Sequence, residues 1–199
     1  MLTISIQAGG KSSRMGQDKA LMPFLGQPLI ARLVARLRPL ADELILTTNR
    51  PDDYRFLGLP LFPDLFAERG ALGGLHTALA CASLPYVAVV ACDMPFASPA
   101  LICHQRDLLL AADLDVVIPA GPEGGLEPLH ALYRRDTCLP ACEQALINNQ
   151  WKLISWFPRV KVRTLAVEEL LPYDPEGRVF WNLNTPNEFA RAELAAAAE

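Results

Sequence analysis

The chain has little cysteine, little net charge and no long apolar run, and each shortage removes a class of protein. Its five cysteines, Cys81, Cys92, Cys103, Cys138 and Cys142, are odd in number and form no C-x-x-C pair. That speaks against a disulfide framework and against a zinc ribbon, and the thiols read as small buried apolar side chains. With 18 basic against 22 acidic residues, a net charge of −4 and a pI near 5.4, the surface carries no broad basic field. Neither a nucleic acid polymer nor an acidic membrane is therefore expected as a partner, and any anion site must be local. No apolar run approaches the roughly 18 residues that span a bilayer. The residues ahead of the first glycine pair are too few for a signal peptide, so the expected compartment is the cytoplasm. What is present is 199 residues, 51% hydrophobic and 20% charged, which suits one soluble globular domain with a full core.

Short β-branched runs alternate with segments of helical period. Leu2 to Ile6 reads as a strand and Pro28 to Ala41 as a helix, with Leu29, Ile30, Leu33, Val34, Leu37 and Leu40 on one stripe. Glu43 to Thr47 and Leu59 to Phe62 read as the next strands, and Leu75 to Ala82 as a helix after a glycine loop. Val87 to Ala91 is apolar on both faces, as in the middle of a parallel sheet. Ser98-Pro99 reads as an N-cap with proline in the first turn, opening a helix to about Ala112, before a strand at Asp115 to Pro119. The alternation then breaks. Pro128 to Tyr133 and Val160 to Val167 look like strands flanking a helix from Thr137 to about Asn148, and Pro186 to Ala198 closes the chain. Right-handed crossovers fold such an order into an open, mostly parallel twisted sheet with helices on both faces, whose ligands bind beyond the carboxyl ends of the strands. That rule points at Gln7 to Lys19, Asn49, Asp64 to Gly74, and Asp93.

The segment Gln7 to Lys19 puts three glycines, two serines and three cations directly after a strand, a composition suited to phosphates. Glycines let several N–H groups converge, and Lys11, Arg14 and Lys19 add positive charge around them. It is neither common phosphate loop, because Ser5 stands where a Walker loop before Gly10-Lys11-Ser12 needs glycine, and Gly9-Gly10 does not fit G-x-G-x-x-G.

This segment, with Leu21 and Gly26 to Leu29 after it, resembles the signature of the nucleotidyltransferases, most closely the molybdenum cofactor guanylyltransferases, whose usual pattern is L-A-G-G-x-S-x-R-M-G-x-D-K. Further matches come in the family's order: Asp64 before Gly70-Ala-Leu-Gly-Gly74, Cys92-Asp-Met-Pro95, Glu127 to Tyr133, and Asn182-Leu-Asn-Thr-Pro186. The resemblance runs from Ile4 to Phe189. It implies a single-domain, Rossmann-like α/β nucleotidyltransferase fold, with a nucleotide-binding part over about residues 1–115 and an acceptor-side part over about 116–199. It also implies transfer of GMP from GTP to the terminal phosphate of molybdopterin, releasing pyrophosphate with Mg²⁺ bound. Transient contact with molybdenum cofactor maturation proteins or molybdoenzymes is left open by it.

Physical reasoning assigns the roles. Asp93 follows a buried strand, where a carboxylate suits Mg²⁺, an ion that takes one or two protein oxygens plus water and phosphate oxygens; the bland reading is a turn aspartate. Lys19 suits the α-phosphate and Arg14 the departing β,γ-phosphates, while Lys11 reads as solvated and Asp18 as orienting Lys19. Alternation in Asn182-x-Asn184 sends both amides to one side; the resemblance places them at the acceptor, and a hydrogen-bonded turn is the alternative. His76, His104 and His130 read as packing or surface residues, and Asp113-x-Asp115 as solvated carboxylates. Trp151 and Trp156 read as core, with the acceptor pocket as the alternative.

For the base, a carboxylate such as Asp64 can accept from the guanine N1–H and amino group, with Asn49 and the segment Gln7, Ala8, Gly9 and Gly10 completing the pocket beside Gly70 and Gly74. The A-G-G form of the first loop and the glycine-rich second loop accompany guanylyl transfer in the family. Gln7 stands where leucine is usual and Ala71 where proline is usual, which bears on base preference. A cytidylyltransferase for the same cofactor, a sugar-phosphate nucleotidyltransferase and a nucleotide-binding regulator remain alternatives at this point.

Overall fold

A computed structural model describes residues 1–9, 18–122 and 124–198. β1 (Leu2–Gln7) is buried along its whole length. Its alternation sends Leu2, Ile4 and Ile6 into one core, and Thr3, Ser5 and Gln7 therefore face the opposite side of the sheet. A short 3-10 turn at Lys19–Leu21 comes next, capped by the Asp18 side chain, which accepts from the Ala20 N–H at 3.1 Å. β2 (Pro23–Phe24) and β3 (Gln27–Pro28) form a small hairpin whose two turn residues, Leu25 and Gly26, have φ of 50° and 81°, the left-handed pair that a tight hairpin favours.

α1 (Leu29–Leu37) buries Leu29, Ile30, Leu33, Val34 and Leu37. It stops short of the expected Ala41 because Pro39 cannot continue an α-helical ladder, and Arg38–Leu40 go on as a 3-10 turn. β4 (Glu43–Thr47), α2 (Pro51–Tyr54) and β5 (Leu61–Phe62) lead to α3 (Gly70–Cys81). β6 (Tyr86–Ala91), α4 (Pro99–Ala111), β7 (Val116–Pro119), β8 (His130–Arg134), α5 (Arg135–Ile147), β9 (Val162–Leu165), α6 (Val167–Leu170) and α7 (Pro186–Ala196) complete the chain. The Ser98 cap is as expected, its Oγ accepting from the Leu101 N–H at 3.2 Å.

One seven-stranded sheet has the order β5-β4-β1-β6-β8-β7-β9. Only β8 runs antiparallel to its neighbours, β6 and β7, while the other pairings are parallel. Because the chain steps outward from β1 to β5 and then returns to β6 on the other side of β1, right-handed crossovers put α1 and α4 on one face and α3 and α5 on the other. Two core clusters match that division, one gathering Ile30, Leu33, Leu101 and Leu109, the other Leu75, Leu79, Cys142 and Trp156. A third joins the hairpin to α7 through Phe24, Phe96, Leu183 and Phe189. The expected open, mostly parallel sheet with helices on both faces is therefore what forms.

The largest local departure is at α3. The stretch expected to be a glycine loop before Leu75 is the start of the helix itself. Its glycines serve close approach: a Cβ on Gly73 would lie 2.9 Å from the Phe66 carbonyl oxygen, and one on Gly74 would overlap the Gln7 side chain. The hairpin, α2 and α6 are too short to show a period, and the sequence pattern missed them.

Candidate active site

β1, β4 and β6 end in register, with Gln7 opposite both Thr47 and Ala91. The segments beyond these strand ends border one cavity of about 880 Å³, at the point where strand order reverses. Gln7, Ala8 and Gly9 line it from β1, and Thr48, Asn49 and Arg50 from β4. Asp64 comes from beyond β5, Gly70 and Ala71 from the start of α3, and Cys92 and Asp93 from beyond β6. Of the residues expected beyond these strand ends, Gln7, Ala8, Gly9, Lys19, Asn49, Asp64, Gly70 and Asp93 border this cavity.

Asn49 and Asp64 clasp each other. The Asn49 Nδ2 donates to Asp64 Oδ2 at 2.8 Å, and its Oδ1 accepts from the Asp64 N–H at 2.9 Å. This pair of hydrogen bonds fixes the β4 and β5 loops together and holds the Asp64 carboxylate at the cavity wall. Across the cavity, the Lys19 Nζ donates to Asn184 Oδ1 at 2.5 Å, and the Leu183 N–H donates to the Asp93 carbonyl at 3.1 Å. The C-terminal segment is thereby drawn onto the end of β6. A capping box then starts α7: Glu188 Oε2 accepts from the Asn184 and Thr185 N–H groups at 2.6 and 2.8 Å, and Thr185 Oγ1 accepts from the Glu188 N–H at 3.3 Å.

Asp93 is the electrostatic centre. Burial pushes its carboxyl above the ordinary carboxylate range, and the Lys19 ammonium only partly offsets this. An ionised carboxylate so placed gains from an added cation. Among the described residues no group of three or more His, Cys, Asp or Glu side chains converges. A lone carboxylate oxygen donor fits a hard cation that keeps water and phosphate oxygens as most of its ligands.

Other placements differ from expectation. Asp18 does not orient Lys19; its carboxylate accepts from the Tyr54 hydroxyl at 2.5 Å and pairs with Arg50. Asn182 donates to the Phe180 carbonyl at 3.3 Å, and Asn184 Nδ2 to the Asn182 carbonyl at 3.3 Å. Of the two amides only Asn184 thus meets Lys19. Gly74 sits under Gln7, behind the cavity wall. Gly10, Lys11 and Arg14 lie outside the described residues. Trp156 is core, but Trp151 is exposed and lines the cavity.

The histidines stay out of the cavity lining. His76 meets Phe66 edge-on, His104 stacks on Tyr173, and buried His130 accepts from the Ser98 N–H through Nε2 at 3.1 Å. Asp113 and Asp115 anchor Lys161, at 2.9 Å to its Nζ and 2.8 Å to its N–H. Thr48 and Arg50 are cavity residues that the sequence does not single out; Glu68 falls in the Asp64 to Gly74 stretch indicated by the strand-end rule, and Trp151 lines the cavity where its first reading was core. Thr48 and Arg50 flank Asn49 and fall under the same strand-end rule, whereas nothing around Trp151 signals a site.

A family model for the MobA-like NTP transferase domain matches residues 4–161. The chain belongs to the MobA-like NTP transferase family. The matched span runs from β1 past α5 and holds the whole cavity lining. A Carboxydothermus hydrogenoformans protein described as a "Probable molybdenum cofactor guanylyltransferase" is 39% identical, the match covering 96% of this chain and 94% of that one. The "Molybdenum cofactor guanylyltransferase" of Desulfosudis oleivorans is 35% identical over 97% of this chain and 95% of its own. In three dimensions, the molybdopterin-guanine dinucleotide biosynthesis protein A of Archaeoglobus fulgidus superposes with a TM-score of 0.85 at 26% identity, covering 99% of this chain and all of the other. As a MobA-like NTP transferase domain, the chain carries nucleotidyltransferase machinery on a single sheet. Among its described residues, no helix is long and apolar enough to cross a membrane.

Proposed function

We propose that this chain is a molybdenum cofactor guanylyltransferase, moving the GMP part of GTP onto the terminal phosphate of molybdopterin with release of pyrophosphate. The observation that carries this reading is that Lys19, held by Asn184, and Asp93 line the same cavity as the Asn49–Asp64 clasp. The full-length likeness to guanylyltransferases supports the choice of substrates. Residues 1–115 would supply most of the nucleotide site, and residues 116–199 would close it from the acceptor side.

In this reading Asp64 accepts from the guanine edge, and Asn49 with the backbone of Gln7, Ala8 and Gly9 holds the nucleoside. Gly70 leaves room beside the base. Lys19, steadied by Asn184, faces the α-phosphate and neutralises charge as it builds there. Asp93 would hold Mg²⁺, which when bound shields the phosphate oxygens from one another. Arg14 and Gly10 would complete the phosphate end, and Asn182 and Asn184 the acceptor end. The acceptor's phosphate oxygen attacks the α-phosphorus, the bond to the β-phosphate oxygen breaks, and pyrophosphate leaves. A phosphate monoester is already an anionic nucleophile, so alignment and charge neutralisation suffice without a general base.

The test is pyrophosphate release with Mg²⁺ and each of GTP, CTP, ATP and UTP, with and without reduced molybdopterin under anaerobic conditions. Release with GTP alone, and only with the acceptor, is expected. Release with CTP instead would keep the chemistry and overturn the base assignment.

A further inference from the structure

We propose that Trp151 is the stacking platform for the nucleobase, supplied to the nucleotide end of the cavity from the second half of the chain. The inference rests on the nucleotidyltransferase reading of that cavity. Trp151 is 57% exposed, unusual for so large an apolar ring, yet it lines the cavity beside Gly70 and Ala71.

It is also held. Just beyond α5 and its C-cap residue Asn148 comes Asn149 at φ 55°, the Asn149 N–H donating to the Leu146 carbonyl at 3.0 Å and the Gln150 N–H to the Ala145 carbonyl at 2.9 Å. These are the paired bonds of a Schellman cap, with asparagine in the left-handed place glycine usually takes. Trp151 comes directly after that cap, so its backbone leaves α5 in a defined direction. The Asn149 Oδ1 accepts from the Arg69 Nη1 at 2.8 Å, and the Arg69 guanidinium lies 4.9 Å from the Trp151 ring centroid. Arg69 immediately precedes α3 and does not itself line the cavity, whereas Trp151 does.

An exposed indole that lines the cavity and is held beside one cation can take a flat heteroaromatic ring. Guanine and the pterin of the acceptor both carry a 2-amino-4-oxopyrimidine ring. The position favours guanine. Trp151 is tied through Arg69 to the start of α3, the Gln7 Nε2 steadies the same turn by donating to the Ala71 carbonyl at 3.2 Å, and the Lys19–Asn184 contact that faces the phosphates is tied instead to the C-terminal segment.

The experiment is equilibrium titration of the full chain with Mg²⁺ and GTP, with inorganic tripolyphosphate as a probe lacking the ring, for wild type, Trp151→Ala and Trp151→Phe. Trp151→Ala is expected to weaken GTP binding by roughly tenfold while leaving tripolyphosphate binding unchanged. Trp151→Phe should keep most of the affinity and lose the fluorescence quench that GTP causes in the wild type. An equal loss for both ligands would overturn the inference, and so would an unchanged GTP affinity with a raised KM for molybdopterin, since the ring would then serve the pterin. Wild-type binding of GTP that Trp151→Ala leaves intact brings down this inference alone; a wild type that binds no GTP brings down the guanylyl reading and this inference together.

Discussion

Lys19 and Asn184 stand 165 positions apart in sequence, yet their side chains meet at 2.5 Å. The contact ties the 3-10 turn at Lys19–Leu21 to the segment before α7, whose Leu183 N–H donates to the carbonyl of Asp93 just beyond β6. An ammonium held by one amide and left beside a buried carboxylate keeps donors for a phosphate.

Replacing Lys19 by methionine should therefore lower kcat for pyrophosphate release by about 10²- to 10³-fold, the usual cost of removing one preorganised donor to developing charge. Asn184→Ala should cost less, about tenfold, since it acts through the position of Lys19. Wild-type turnover in Asn184→Ala would show that the amide does not set the ammonium.

Gln7 and Gly74 form a steric pair. The Gln7 amide lies against the bare Cα of Gly74 and donates to the Ala71 carbonyl at 3.2 Å. Gly74→Ala should destabilise by about 1–3 kcal/mol in urea unfolding, partly offset by the better helix propensity of alanine. The double variant Gln7→Ala/Gly74→Ala should be more stable than Gly74→Ala alone, because the clash has been removed. As the Gln7 side chain is committed to α3, Gln7→Leu should leave the preference for GTP over CTP unchanged; a swing toward CTP would give that amide a role in reading the base.

Much of this site is legible in the sequence, for a physical reason. Gln7 ends a short apolar strand and Asn49, Asp64 and Asp93 each follow one, and a parallel sheet must bring the ends of adjacent strands together. Their local sequence therefore also fixes their meeting place. Gly70 to Gly74 misleads because glycine serves both loops and close packing, and only the proximity of Gln7 and Phe66 tells the two apart. Whether Trp151 is core or pocket is not decided by the sequence, because its place depends on a cap after α5 and on Arg69 from another element, and neither leaves a periodic trace. Asp18 reads as a partner for its neighbour in sequence, but Arg50 and Tyr54 reach it across the fold.

His130 should make the protein acid-labile. Burial pulls its imidazole down to about 4, against an ordinary value near 6.5. Between those values the unfolded chain binds a proton that the native chain refuses, so stability falls as pH drops through that window. The full loss from this one group is on the order of 3 kcal/mol by the bottom of the window. His130→Gln keeps an acceptor for the Ser98 N–H and removes the titration. Urea midpoints from pH 7 to 4.5 should fall more steeply for the wild type than for this variant, and parallel slopes would acquit His130.

Asp93 should show a trade of stability for function. Burial raises its pKa, with Lys19 only partly opposing. The native state therefore holds its proton to a higher pH than the unfolded chain does, and stability is lost as pH rises through the native value. Above that native value the ion-free protein carries this cost in full. Asp93→Asn removes the charge at nearly constant shape, so the metal-free variant should melt a few degrees higher than the wild type at pH 7. That advantage should vanish below the ordinary carboxylate range, where both forms are neutral. The same substitution should cut pyrophosphate release by about 10²-fold or more and abolish the added thermal stability that Mg²⁺ with GTP confers on the wild type. A variant that melts lower than the wild type at pH 7 would mean that the carboxylate is already well compensated without a metal. A variant with wild-type turnover at saturating Mg²⁺ would place the metal elsewhere.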